Sequence, residues 1–420
     1  MSTYLHLPIC STLRGTVHRL SASKSISNRV LILKALSGNQ AVVRNLSDAR
    51  DTQLMMQALV NPEKVIDVKD AGTTMRFLTA FFSLTGQHKE ITGTPRMKER
   101  PIGLLVDALR KLGATINYLE KEGFPPIETQ GFANQATAEL EIAGDVSSQY
   151  ISALMMTGAL LPKGLVITLT GKMGSVPYIE MTAALMHEFG VDCQTDWKRN
   201  TISIPNQQYR PAQYTVEADW SSASYWFAFT ALAKQAEIIL PNVTVRSLQG
   251  DKVIMDIMAQ LGVQSDFSGT SLRLTKTENA NYLSWDFKDC PDLAQTVLPV
   301  CAAKGINGEF TGLESLRIKE TDRITALQNE LGKIGAKLTE PVVGRWRLEV
   351  GGSMLEKHSN IRHPASSIQI NTYHDHRMAM GFAPWATLFD LKIESPDVVD
   401  KSYPGFWKDM KEIGFDLSII

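Results

Sequence analysis

Asp107-Ala-Leu-Arg-Lys-Leu-Gly-Ala-Thr-Ile116 decides the fold, because the chain repeats its pattern. An amphipathic helix closes on an apolar residue and a Gly, and a short β-branched or apolar run follows. The Gly reads as a left-handed helix cap and the run as a strand. The pattern returns around Gly190 (Leu185 to Cys193), Gly262 (Ile257 to Val263), Gly335 (Leu331 to Leu338) and Gly414 (Phe406 to Leu417). Successive glycines stand 72 to 79 residues apart. A weaker first copy, without the Gly, spans Asp51 to Val60. About six α/β units of roughly 70 residues follow, an internal repeat at low identity. Strand runs such as Leu165–Leu169, Ala236–Leu240 and Trp346–Val350 imply sheets faced by helices, and six copies divide into two domains of three.

The 420 residues suffice for two domains with sizeable cores. A formal net charge of −1 provides no bulk field for nucleic acid or an anionic membrane, so anion binding must be local. The four cysteines, Cys10, Cys193, Cys290 and Cys301, show no metal or pairing pattern and read as buried thiols in a reducing compartment. Met1 to Gly15 lacks a signal-peptide pattern. The most apolar region, Ile151 to Thr170, is interrupted by Gly158, Pro162, Lys163 and Gly164, against a membrane span. A cytoplasmic enzyme is expected.

Cations and hydroxyls collect where helices begin, the place where unpaired N–H groups and the helix dipole favour anions. Arg317-Ile-Lys-Glu-Thr-Asp-Arg323 precedes the apolar stripe Ile324, Leu327, Leu331, Ile334. On a helix, Lys319 and Arg323 stand at i, i+4 and Glu320 and Arg323 at i, i+3, so that their heads converge. Ser23-Lys-Ser-Ile-Ser-Asn-Arg29, Asp70-Ala-Gly-Thr-Thr-Met-Arg76 and Arg96-Met-Lys-Glu-Arg-Pro101 lead further helices. So do Ser147-Ser-Gln-Tyr150 and Asp219 to Ser224. Each alone reads equally well as a cap or a solvated surface. Their recurrence at one structural position argues for a polyanion pocket. Tyr373-His-Asp-His-Arg377 invites a metal reading, yet no third ligand at matching spacing accompanies it. Asp292 alone reads as a cap.

With those motifs in view, the chain resembles the 5-enolpyruvylshikimate-3-phosphate synthases, members of the enolpyruvyl transferase group. The likeness runs from Ser23-Lys-Ser-Ile-Ser-Asn-Arg29 through Ala71-Gly-Thr-Thr-Met-Arg76, Pro95 to Ile102, Ser147 to Tyr150, Arg317 to Arg323 and Asp375 to Met380, to Asp400-Lys-Ser-Tyr-Pro404. It implies an α/β fold of two similar domains, each of three βαβαββ units in an inside-out α/β barrel, with the active site in the interdomain cleft. Residues 19–217 would form the inserted domain, and 1–18 with 218–420 its partner. The implied reaction is attack of the 5-hydroxyl of shikimate 3-phosphate on C2 of phosphoenolpyruvate, then loss of phosphate from a tetrahedral adduct, on the route to aromatic amino acids. No metal or organic cofactor is implied, no nucleic acid or membrane partner, and a monomer is expected.

By motif match, Lys24, Ser25, Arg29, Ser147, Ser148, Gln149, Ser175, Tyr178, Asp292, Ser315 and Lys319 would meet shikimate 3-phosphate. Lys24, Gly72, Arg96, Gln149, Arg323, Arg377 and Lys401 would hold phosphoenolpyruvate. Asp292 would be the base at the 5-hydroxyl and Glu320 the proton donor to the methylene carbon, with Lys24 also catalytic. Lys319 and Arg323 flank Glu320 in sequence and favour its ionised form, so burial or bound anions must oppose them. The chain departs from the family at Asp70 (usually Asn), Phe77 (commonly Pro) and Ser315 (often Asn), and in a shortened segment between Leu59 and Asp70. The sister enzyme acting on UDP-N-acetylglucosamine carries a reactive Cys before its Arg-Pro; Thr92 to Glu99 contains none. A non-catalytic anion-binding or RNA-end-processing module would not need the paired acids Asp292 and Glu320.

Overall fold

All five repeat glycines adopt positive φ: 113° at Gly113, 78° at Gly190, 87° at Gly262, 80° at Gly335 and 121° at Gly414. Each lies between a helix and the next strand, which starts at once after Gly113 and Gly262 but only at Gln194, Lys337 and Ser418 after the others, so the runs Val191 to Cys193 and Phe415 to Leu417 are not strand. The punctuation is conformational, since only Gly takes this region without a Cβ clash. The first copy differs. Its helix, Arg50–Val60, exits through Asn61 in an extended conformation. The structure, a computed structural model, describes residues 3–144, 147–351 and 367–420.

The chain forms two compact units, Met1–Ser21 with Glu217–Ile420, and Ala22–Val216. Each has its own apolar core. We call them the terminal unit and the inserted unit.

Five four-stranded sheets share one order: a parallel strand, a central strand, then two antiparallel strands. In the inserted unit these are Val65–Asp67, Lys89–Thr92, Ile127–Phe132, Ala114–Tyr118, and Glu139–Ala143, Leu165–Thr170, Thr201–Ile204, Gln194–Asp196. The terminal unit holds three more, centred on Gln235–Pro241, Asn307–Thr311 and Leu391–Glu394. The sixth sheet, among the described residues, is only the parallel pair Val42–Arg44 and Gln213–Thr215. The shortened segment explains it. Four residues separate Val60 from Val65, too few for the antiparallel hairpin that completes the other units.

Helices line the interior of each unit. Trp220–Leu232 buries every residue except Ser221, and Gly72–Leu84 all except Thr73. Helices apolar on all sides belong in a core. Strands instead alternate, as in Glu139–Ala143 and Leu165–Thr170, with one face inward and one toward water. Buried threonines in these helices donate to the carbonyl four residues back, Thr79 to Met75 at 2.7 Å, Thr157 to Ala153 at 2.8 Å and Thr230 to Trp226 at 2.9 Å. Their hydroxyls are thereby satisfied without a tertiary partner. Cys290 and Cys301 are buried as expected, and burial pushes both thiols up to about 12, whereas Cys10 and Cys193 are only half-buried. No helix among the described residues is long and apolar enough to cross a membrane.

Candidate active site

In the terminal unit the chain 314–323 is not the continuous helix its spacing suggests. Glu314–Ile318 is a 3-10 turn, Lys319 is extended (φ −87°, ψ −153°), and the helix Arg323–Gly332 begins only at Arg323. Asp322 caps it, accepting from the Ile324 and Thr325 N–H groups at 3.1 Å. Ile324, Leu327 and Leu331 face the core, while Ile334 falls beyond the helix end. The helical spacing of Lys319 and Arg323 is therefore absent, yet their heads still converge, both on Asp292 Oδ1. Lys319 turns to Asp292, 3.6 Å away, and the place beside Glu320 goes to Lys401 at 3.3 Å.

Arg323 is the hub. It is 2 % exposed, and its guanidinium donates to Asp375 Oδ2 (2.6 Å), Asp292 Oδ1 (2.9 Å) and Glu320 Oε2 (2.9 Å). Burial alone would disfavour the cation, but Asp375, Glu320 and Asp292 outweigh it and raise its pKa further. Asp292 is not a cap. It sits in the turn Pro291–Leu293 and receives Arg323, Lys319 and, on its other oxygen, Arg377 at 3.0 Å. Burial pushes this carboxyl up, yet the fields of Arg377, Lys319 and Arg323 together hold it well below the usual carboxylate range. Asp375 caps the helix His376–Phe382 through the Arg377 N–H (2.9 Å) and so links Arg377 to the hub. The structure thus gathers Asp292, Lys319, Glu320, Arg323, Arg377 and Lys401 into one network. Ser315, on the 3-10 turn, is exposed.

Three participants lie outside the residues assigned from the sequence: Asp375, Ser221 and Asp251. Ser221 Oγ lies 3.4 Å from Arg377 Nη2 and donates a short hydrogen bond to Asp251. Burial pushes the Asp251 carboxyl up to about 6, against the pull of Arg377 and with Asp292 and Asp219 adding to the rise. Ser221 lies within a motif that was noted; Asp251 opens a turn without a distinctive pattern.

In the inserted unit, Arg29 does not project from its helix start but lies buried within Lys24–Leu36. Its donors go to Thr182 Oγ1 (2.7 Å), Ser152 Oγ (2.9 Å) and the Ser25 carbonyl (2.9 Å), and its plane lies near the rings of Phe77 (5.3 Å) and Tyr178 (5.7 Å). Burial lowers its pKa to about 10, which leaves it charged at neutral pH. Lys24 pairs with Asp51 at 3.1 Å, a partner that no local pattern identified. Gly72 opens the helix Gly72–Leu84 under the Arg100 guanidinium, where a Cβ would come within 2.8 Å of two of its nitrogens. Gln149 donates to Thr73 Oγ1 at 3.0 Å, beside Gly72.

Ser147 caps the helix Ser148–Gly158, and Ser175, at φ 55°, precedes the helix Val176–Glu188 that carries Tyr178. Arg96 occupies the short helix Pro95–Lys98 and pairs with Glu99 at 2.9 Å. Pro101 precedes the helix Gly103–Leu112 rather than lying in its first turn. Asp70, which stands where the family usually has Asn, is bound by Arg50 at 2.9 Å.

A family model described as EPSP synthase (3-phosphoshikimate 1-carboxyvinyltransferase) matches residues 8–61 and 57–410. The chain belongs to this family. A Bacteroides fragilis protein named 3-phosphoshikimate 1-carboxyvinyltransferase is 45% identical over 411 residues, 97% of both chains. One of the same name from Citrobacter koseri is 35% identical over 433 residues, covering 95% of this chain and 96% of the relative. The solved EPSP synthase of Acinetobacter baumannii superposes with a TM-score of 0.75 over 100% of both chains at 19% identity, a likeness of fold.

Proposed function

We propose that the two clusters carry out the family's reaction, transfer of the enolpyruvyl group of phosphoenolpyruvate to the 5-hydroxyl of shikimate 3-phosphate with release of phosphate. The supporting observation is the network on Arg323, which holds two carboxylates, Asp292 at 2.9 Å and Glu320 at 2.9 Å, on one guanidinium. Addition across a vinyl double bond needs a base for the hydroxyl and an acid for the methylene carbon at one pH. Asp292 meets Arg323, Lys319 and Arg377, and Glu320 meets Arg323 and Lys401, so for Glu320 to deliver a proton the bound substrate anions must draw these cations away from it.

The oxygen of the 5-hydroxyl bonds to C2 of phosphoenolpyruvate while Asp292 takes its proton and Glu320 protonates C3. The adduct then returns a proton from C3 to the Glu320 carboxylate and expels phosphate from C2, the proton held by Asp292 leaving with the phosphate, which gives the enol ether. Asp292, held strongly ionised by Arg377, Lys319 and Arg323, is by itself a weak base. Substrate phosphate and carboxylate oxygens would engage Arg377 and Lys319, so that these cations no longer act on Asp292 alone and its basicity rises. The substrates together bring about five negative charges. Arg377, Lys401, Arg323 and Arg96 serve phosphoenolpyruvate. Arg29, Lys24, Ser25, Ser147, Ser148, Ser175, Tyr178 and Lys319 serve the shikimate ring and its phosphate, with Gln149 and Gly72 beside them.

The test is phosphate release on mixing the two substrates. We expect release only when both are present, and a loss of at least about a hundredfold in kcat for Asp292→Ala and for Glu320→Ala with folding intact. Near-normal turnover in either variant removes the role assigned to that residue.

A further inference from the structure

The helix Arg323–Gly332 grips the segment 369–377 at two levels. At its first residue Arg323 holds Asp375 through two hydrogen bonds, 2.6 and 3.3 Å. Seven residues on, and so on the same helix face, Glu330 is fully buried. Its carboxylate accepts from the Tyr373 hydroxyl at 2.9 Å on one oxygen and from the Asn371 N–H at 3.3 Å on the other. Lys333 pairs with it at 2.6 Å and reaches the Gln369 carbonyl at 2.8 Å.

Between these two grips lies a backbone that local sequence does not favour. Tyr373 and His374 both take positive φ, 54° and 56°, and neither is Gly. Side chains of that size seldom enter the left-handed region, and two in succession persist only where the surroundings fix them. The turn they make delivers Asp375 to cap the next helix and sends Arg377 toward Asp292. A buried carboxylate is costly unless its oxygens are satisfied. Among the described residues, the hydrogen bonds of the Glu330 carboxylate other than that from Lys333 run to this turn, from Tyr373 and Asn371.

We propose that Glu330 is a positioning residue for the transfer reaction: with Arg323 it clamps the 371–375 turn at both ends and so fixes the guanidinium of Arg377. This rests on reading Arg377 as a phosphoenolpyruvate-binding group. The bland alternative is a brace that only stabilises the fold, and it predicts a different pattern.

Three variants separate them: Glu330→Ala, Glu330→Gln and Tyr373→Phe. For Glu330→Ala and Tyr373→Phe the KM for phosphoenolpyruvate should rise about tenfold or more, with the KM for shikimate 3-phosphate within about twofold. Glu330→Gln, which keeps an acceptor in place, should recover most of that loss. Amide exchange of residues 371–378 should quicken in Glu330→Ala and Tyr373→Phe while the helix Ala294–Lys304 keeps its protection. Should Glu330→Ala not fold, Tyr373→Phe, which deletes one hydroxyl, still decides. The proposal is overturned if both KM values move together, or if only thermal stability falls. It is equally overturned if exchange at 371–378 is unchanged. Failure of the wild type to release phosphate would remove the functional reading instead, and the exchange rates would still judge the clamp.

Discussion

The buried arginines at the heart of each cluster are neutralised by different chemistry. In the terminal unit Arg323 and Arg377 meet carboxylates: Asp292, Glu320 and Asp375 for Arg323, and Asp292 for Arg377. In the inserted unit Lys24 and Arg96 also meet carboxylates, Asp51 and Glu99, but Arg29 is bound by two hydroxyls, a carbonyl and two aromatic faces, and Arg76 by the Gly72 and Pro101 carbonyls and Met97 sulfur. A carboxylate spends a cation's field on an internal partner, whereas a neutral dipole leaves most of it for a ligand. Under the proposed function, proton chemistry would fall to Asp292 and Glu320 in the terminal unit and anchoring of an anion to Arg29 in the inserted unit.

The sharpest break would come at Asp375. Asp375→Asn leaves Arg323 buried beside a neutral group and should cost about 3–5 kcal/mol in denaturant unfolding. Thr182→Val, which removes a neutral partner of Arg29, should cost only about 1 kcal/mol. Similar costs at the two sites would erase the contrast.

Asp251 gives the comparison a pH dependence. Its folded pKa of about 6 lies above its ordinary 3.8, so the unfolded chain releases this proton first. The resulting stabilisation is fully present below about pH 4 and is lost as pH rises through about 6, in total about 3 kcal/mol. Asp292 works in the opposite sense: its contribution is fully present above its ordinary carboxylate range and is lost progressively as pH falls below it. Asp251→Asn should therefore flatten stability between pH 4 and 7 relative to wild type. An unchanged slope would contradict the assignment.

A smaller effect should follow from Arg29→Met, about thirtyfold weaker binding of shikimate 3-phosphate by calorimetry, since one desolvated charged contact is lost. The smallest belongs to Arg50→Ala. The Arg50–Asp70 pair is substantially exposed, and its loss should shift stability by less than about 1 kcal/mol.

The repeat was legible because Gly at a left-handed cap is a local requirement, written at Gly113, Gly190, Gly262, Gly335 and Gly414 whatever the tertiary context. The truncated sixth sheet was foreshadowed by the short run between Leu59 and Asp70. Contacts distant in sequence were not legible. Asp51 finds Lys24 across 27 residues and Asp375 finds Arg323 across 52, and no spacing rule reaches that far. Local periodicity also misled at Lys319, where Asp322 caps a helix later than the charge spacing implied. Arg29 looked like an exposed helix-start cation because its hydroxyl partners, Thr182 and Ser152, lie on other helices.

The division of labour is tested most directly by measuring shikimate 3-phosphate affinity and kcat side by side for Arg29→Met and Glu320→Gln. The account predicts that Glu320→Gln binds shikimate 3-phosphate within about threefold of wild type while losing at least about a hundredfold in kcat, and that Arg29→Met loses affinity first. Weakened binding in Glu320→Gln with turnover retained at saturation, or undiminished affinity in Arg29→Met, would contradict it.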